Sequence, residues 1–236
     1  MTKYTKTEDT MRESILTIPV NEIFEPMCGC PICRMRNMLE DRTIDYIMGA
    51  AMMEPDVRIE TNRLGFCKTH FEQMQNQKNR LSLALMIQTH LKELEKNIFD
   101  RKSIFEGKTA KQKKVSQVVE ECFVCSKIEW GMERLMVTFY ELYGKEKDFR
   151  EIFDKQEMLC LHHYDLLVSG VSNVEKKFQN QFVKACGELT NNYLKTLIND
   201  ISHYCNMYDY RNSGKNADWK NSKDSIERAI KFLTTR

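Results

Sequence analysis

The sequence predicts an all-α protein built on an internal duplication, each half clasped by its own Cys3His metal knuckle. Three observations carry this prediction. All four prolines fall within the first 55 of the 236 residues, leaving a long proline-free stretch in which helices can run on. Apolar residues recur at spacings of three and four along most of that stretch. A cysteine–histidine pattern occurs twice, in matching register.

The elements follow in order. The segment RMRNMLEDRTIDYI after Cys33 reads as a first long helix. Residues 56–61, DVRIET, alternate polar and apolar and read as a short strand. FEQMQ after His70 opens another helix, and Leu83, Ile87, Leu91, Leu94 and Ile98 line one face of the next. The polar, basic run GKTAKQKK (107–114) reads as a linker between a first half, 1–106, and a second, 115–236. In the second half, Ile128, Met132, Leu135, Phe139 and Leu142 form a helical stripe, and YDLLV follows His163. Phe178, Phe182, Ala185, Leu189, Tyr193, Leu197 and Ile201 hold one face of a long helix. A last helix takes Ser222 as N-cap and turns Ile226, Ala229, Ile230 and Leu233 inward.

Composition narrows the function classes. The chain is 42% hydrophobic and 30% charged, which is globular usage. With 36 basic and 34 acidic residues the net charge is +2, so no broad field draws nucleic acid or an anionic membrane. No apolar run is long enough to span a bilayer, and the first twenty residues lack the apolar core of a secretory signal. The expected location is the cytoplasm, where nine cysteines serve as ligands or free thiols rather than disulfides.

The first half contains Cys30-Pro-Ile-Cys33 and Cys67-Lys-Thr-His70; the second contains Cys122-Phe-Val-Cys125 and Cys160-Leu-His-His163. Cys30 to Cys122 and Cys33 to Cys125 are each 92 positions; Cys67 to Cys160 and His70 to His163 are each 93. Two ligands three residues apart wrap one ion from a single turn, and two such pairs complete a tetrahedron. Each pair lies at a helix start, where the dipole and free N–H groups favour thiolate. The expected ligands are Cys30, Cys33, Cys67 and His70 in one half and Cys122, Cys125, Cys160 and His163 in the other. Cys28 and His162 have no counterpart in register and are possible extra ligands. Closed Cys3His environments suit structural zinc, two per chain; an iron–sulfur cluster, with Cys28 as further thiolate, is the alternative.

The stretches TIPVNEIFEPMCGCPIC (17–33), AMMEPDVRIETNRLGFCKTHF (51–71), QKNRLSLALM (77–86) and YDYRNSGKNADWKNSKDS (208–225) resemble an uncharacterised bacterial family, found largely in anaerobes and classed as a domain of unknown function. The resemblance covers nearly the whole chain. It implies a helical cytosolic protein with two Cys-rich knuckles and no activity to carry over.

Two further segments are rich in polar groups. Glu54, Asp56, Arg58, Glu60 and Asn62 fall at every second position and share a face if the chain is extended. Tyr210, Arg211, Trp219 and Lys223 lie in a Gly/Asn/Ser-rich loop suited to a small anion or flat ligand. The functional expectation is a binding or interaction scaffold whose partner is an unknown protein or a small anionic ligand. The alternatives are a redox or soft-metal-handling protein and an enzyme using residues 53–62 and 208–225.

Overall fold

A computed structural model describes residues 16–99, 108–209 and 218–234, with side chains from residue 112 onward in the second segment. Among these residues there are helices and turns and no strand. Eleven α-helices follow one another: α1 (Thr17–Phe24), α2 (Pro31–Met48), α3 (Pro55–Leu64), α4 (Lys68–Asn76), α5 (Arg80–Leu94), α6 (Lys108–Glu120), α7 (Phe123–Lys145), α8 (Lys147–Asp154), α9 (Leu161–Ser169), α10 (Gln179–Asn206) and α11 (Ser225–Thr234).

The chain divides into two compact units whose boundaries fall inside α2 and α7 rather than at 107–114. The inner unit is Arg36–Glu133; the outer unit combines Met1–Met35 with Arg134–Arg236. The described part of the expected linker, from Lys108 on, belongs to α6.

The outer unit is centred on aromatic rings. Phe24 from α1 stacks on Phe139 of α7 at 5.4 Å and meets Phe149 of α8 at 5.1 Å. Phe182 of α10 packs edge-on to Tyr143 at 4.8 Å and stacks on Phe153 at 5.7 Å. All these rings are fully buried or nearly so. Phe149 and Phe153, four apart, put both rings of the short α8 on one side, and such stacked and edge-on pairs add about 0.5–1.5 kcal/mol each beyond area burial. The core of the inner unit is mostly aliphatic: Ile44, Ile47 and Met48 of α2, Leu83 and Met86 of α5, and Val124 and Ile128 of α7, with Phe66 edge-on to Phe71 at 5.3 Å and to Phe123 at 6.4 Å.

Two expectations about local structure fail. DVRIET lies inside α3, because Pro55 opens the helix behind an extended Glu54, Asp56 sits in its first turn and Arg63 in its last. These end signals outweigh a six-residue alternation. Glu54, Asp56, Arg58, Glu60 and Asn62 therefore do not share a face, since every second residue of a helix turns by about 200°. In α11 the inward face is also different. Ser225 and Phe232 are buried, whereas Ile226, Ile230 and Leu233 are 41%, 53% and 59% exposed. Arg228 sets that rotation: it donates to Asp200 on α10 at 2.9 Å and to Asp224 at 3.0 Å. Asp224, not Ser222, accepts the first helical backbone bond, from Arg228 N at 3.0 Å. Ser222 instead donates from Oγ to the Trp219 carbonyl at 2.6 Å.

Gly65 closes α3 at φ 62°, ψ −156°, a region open essentially to glycine alone. A Cβ there would stand 2.8 Å from His90 Nε2. The Gly65 carbonyl also accepts Phe123 N–H at 3.0 Å, tying the approach to Cys67 to the start of α7. Gly65→Ala is expected to cost about 1–3 kcal/mol, read as a lower denaturant midpoint; an unchanged midpoint would refute the strain argument.

Candidate metal centres

Each of the four Cys/His pairs occupies the same two positions of a helix start. Cys30, Cys67, Cys122 and Cys160 stand at the N-cap: their carbonyls accept from Arg34, Phe71, Ser126 and Tyr164 N–H at 2.9–3.1 Å. Cys33, His70, Cys125 and His163 are each the third helical residue. N-cap and third-residue side chains face one another across the first turn, the geometry a capping box uses for hydrogen bonds. Cys67 and Cys160 have closely similar extended conformations, φ/ψ −72°/165° and −69°/160°.

The pairs combine crosswise. Cys30, Cys33, Cys160 and His163 form one group, and Cys67, His70, Cys122 and Cys125 the other, each with its ligand atoms within 4.8 Å of one another. The knuckles therefore do not each close their own half. The first lies wholly in the outer unit and the second wholly in the inner. Contacts between chain segments distant in sequence account for the pairing. In the outer unit, buried Gln156 donates to the Phe24 carbonyl at 2.7 Å and accepts from Arg34 at 2.9 Å. Arg34 also holds the Ile23 and Pro26 carbonyls, at 2.8 and 2.7 Å. Gly29, at φ 61°, donates its N–H to the Glu157 carboxylate. These bonds fasten the loop before Cys30 to the segment before Cys160. In the inner unit the Gly65–Phe123 bond does the same for Cys67 and Cys122.

The distances fit a single tetrahedral ion. In the outer group Cys33 Sγ lies 3.6 Å from Cys160 Sγ, and His163 Nδ1 lies 3.1, 3.2 and 3.5 Å from Cys160, Cys33 and Cys30 Sγ. In the inner group Cys67 and Cys125 Sγ are 4.0 Å apart, with His70 Nδ1 3.1, 3.2 and 3.5 Å from Cys67, Cys122 and Cys125 Sγ. Zinc bonds of about 2.3 Å to sulfur and about 2.0 Å to nitrogen at tetrahedral angles imply roughly 3.8 Å between sulfurs and roughly 3.5 Å from sulfur to nitrogen. The sulfur separations are far beyond the roughly 2.05 Å of a disulfide, and all nine cysteines are free thiols.

Charge separates within each group. Burial raises the Cys30 thiol, but hydrogen bonds from Cys160, Cys33 and His163 together with the imidazolium charge outweigh it and hold Cys30 far below the ordinary range. Hydrogen bonds from Cys160 and Cys30, then burial, push Cys33 far up. Against burial, His70 and the Cys125 and Cys67 amides bring Cys122 down to about 6; burial, then the Cys122 charge, takes Cys125 up to about 12. Burial disfavours imidazolium at His163, but its thiol partners raise it to about 9. Each group thus favours charge on one thiol beside its imidazole and disfavours it on another, and three sulfurs with one imidazole nitrogen are a donor set suited to a soft divalent cation.

Cys28 is exposed and outside the ligand group, its Sγ 3.9 Å from Arg34 Nη1. His162 is exposed beside His163, ring centroids 5.2 Å apart, and is not in the group. Cys186 is buried on α10, its thiol pushed up to about 12 by burial.

The polar residues of α3 serve packing. Arg58 donates to the Leu85 carbonyl at 2.8 Å and to the Thr89 hydroxyl; Thr89 donates to Asn62 Oδ1 at 2.7 Å; His90 Nδ1 donates to the Asn62 carbonyl at 2.7 Å. Together they pin α3 to α5. Glu60 pairs with Arg63 at 2.9 Å, Glu54 accepts from Tyr46 at 3.0 Å, and Asp56 stays exposed in the first turn. Arg58→Ala is expected to destabilise the inner unit by about 1.5–3 kcal/mol. Urea titration of helical circular dichroism tests this, and wild-type stability would count against a packing role. In the outer unit, half-buried Trp219 packs edge-on to Tyr204 at 5.6 Å and Tyr208 at 5.9 Å, and Lys223 is exposed. Tyr210 and Arg211 lie outside the described residues.

Sequence reasoning from motif spacing missed Gly65, Gln156 and Glu40. Glu40 is buried on α2, and its Oε1 lies 2.9 Å from His70 Nε2. No cysteine or histidine spacing points to any of the three.

The chain belongs to a family of unknown function, DUF6062, whose model matches residues 11–236. No curated protein and no solved structure matches it.

Proposed function

We propose that this protein binds two zinc ions, one in each unit, as closed structural centres, and that it works as a scaffold for a protein partner or small anionic ligand. One observation carries the metal reading: three sulfurs and one imidazole nitrogen converge twice, at spacings that suit one tetrahedral ion. All four ligand positions of each centre come from the protein, which favours a structural over a catalytic role. Ligand atoms within 4.8 Å of one another leave space for a single ion and not for a cluster of several irons, and exposed Cys28 is not among them. Zinc is therefore the reading we favour over an iron–sulfur cluster.

The reciprocal pairing supports a duplication. The first C-x2-C joins the second C-x2-H, and the second C-x2-C joins the first C-x2-H. We read the chain as two copies of one C-x2-C, C-x2-H segment in tandem, Cys30 to His70 and Cys122 to His163. Nine cysteines, none of them in a disulfide, suit a reducing compartment, for which we propose the cytoplasm. No helix among the described residues is long and apolar enough to cross a membrane.

The test is elemental analysis with an absorption spectrum on protein purified anaerobically without added metal. About two zinc per chain and no visible absorption is the expected result. Iron with sulfide, or protein free of metal that refuses added zinc, would overturn the reading.

A further inference from the structure

The two centres have the same ligands but differ one layer out. All sulfur contacts of both histidines are made through Nδ1. An imidazole ligating through Nδ1 carries its proton on Nε2. In the inner centre that Nε2 meets Glu40 Oε1 at 2.9 Å, and His70 is only 2% exposed. Glu40 is buried in turn, with Arg36 one turn back on α2, its Nη1 3.8 Å from the same carboxylate oxygen. In the outer centre His163 Nε2 has no hydrogen-bond partner among the described residues. The inner centre is also the more open, with both Cys67 and Cys125 half-buried against Cys33 alone in the outer.

We propose that Glu40 is a positioning residue for the inner metal centre, holding His70 in the tautomer and orientation that present Nδ1 to the ion. This rests on the metal-binding reading above. The carboxylate accepts the Nε2 proton, so the other tautomer would leave two acceptors facing each other in a buried place. It also raises the basicity of the ligating nitrogen. Three thiolates around a divalent ion already carry net negative charge, and Arg36 offsets the charge that Glu40 adds. Removing such a carboxylate typically costs 10–100-fold in metal affinity.

The test uses full-length protein loaded with two zinc, titrated with a chromogenic chelator. Glu40→Ala is expected to weaken one of the two zinc equivalents by roughly 10–100-fold and leave the other at its wild-type value. Glu40→Gln keeps the acceptor oxygen without the charge, and is expected to fall between. It also carries the test if the alanine variant fails to fold. Nitrogen-15 NMR of the loaded protein reads the His70 tautomer directly: Nε2-protonated in the wild type, mixed or mobile in the alanine variant. Variants that hold both equivalents at wild-type affinity with an unchanged tautomer would overturn the proposal. So would variants that lose both equivalents alike, which indicates general destabilisation. Wild-type protein that binds no zinc would instead sink the metal reading itself.

Discussion

Replacing Cys33 and Cys160 together by serine should leave a protein that still holds one zinc, whereas replacing Cys33 and Cys67 should leave none. The first pair of substitutions strikes the outer centre twice and spares the inner; the second strikes each centre once. Losing one thiolate already leaves three ligands and an oxygen too hard for a soft site, so a second loss in the same centre has little left to remove. The measurement is zinc content after dialysis against a chelator that the wild type resists. One equivalent in the Cys33→Ser/Cys160→Ser protein and none in the Cys33→Ser/Cys67→Ser protein is the signature of crosswise pairing. The opposite pattern would mean that each knuckle closes its own half. The two schemes differ by a full equivalent in each variant, so the outcome does not depend on fine measurement.

Stripping the metal should cost most of the fold. Structural zinc contributes about 10–16 kcal/mol in finger-like peptides, as much as the whole stability of an ordinary domain, about 5–15 kcal/mol. Each centre here joins two helix starts, α2 to α9 in the outer unit and α4 to α7 in the inner. Without an ion, each would have to hold three sulfurs and an imidazole together on hydrogen bonds alone. We expect chelation to lower the melting temperature by tens of degrees or abolish the transition, with loss of helical circular dichroism. The units should not fail alike. The outer unit has its aromatic centre of Phe24, Phe139, Phe149, Phe153 and Phe182, away from the ligands, whereas the smaller aromatic group of the inner unit, Phe66, Phe71 and Phe123, is built from residues next to the ligands Cys67, His70 and Cys122. Hydrogen exchange during chelation should therefore rise first around residues 64–76 and 120–128. Protein that keeps its wild-type melting temperature after complete metal removal would refute a structural role for the ions.

Much of this was legible in the sequence because it depends on chemistry local to a few residues. Proline placement and three-four periodicity predicted helices through α5, α7 and α10, the position after Cys33 predicted α2, and the long face of α10 runs through buried Phe182, Ala185, Leu189 and Leu197 as its stripe predicts. C-x2-C and C-x2-H at helix starts are properties of one turn of chain. The extended N-cap and the third helical residue face each other whatever the rest of the fold does. Where local signals competed, the short alternation of DVRIET was the weaker, set against Pro55, Asp56 and Arg63 at the ends of the same helix. The apolar residues of α11 misled for another reason: Arg228, bonded to Asp200 and Asp224, fixes its rotation through charge that periodicity does not weigh.

Which pair joins which was beyond the sequence. Each pair offers two ligands to an ion that needs four, and separations of 34 and 35 residues allow either C-x2-H to meet either C-x2-C. The choice falls to contacts between segments distant in sequence: the backbone bond of Gly65 O with Phe123 N in one unit, and the side chains of Gln156 and Arg34 around the Phe24–Gly29 loop in the other. The same holds for Glu40, thirty positions from the histidine it meets. By itself the sequence determined the ligands and their local geometry, because these are set within single helix starts. Only the tertiary structure decided their partners, because pairing between interchangeable half-sites is settled by which chain segments pack side by side.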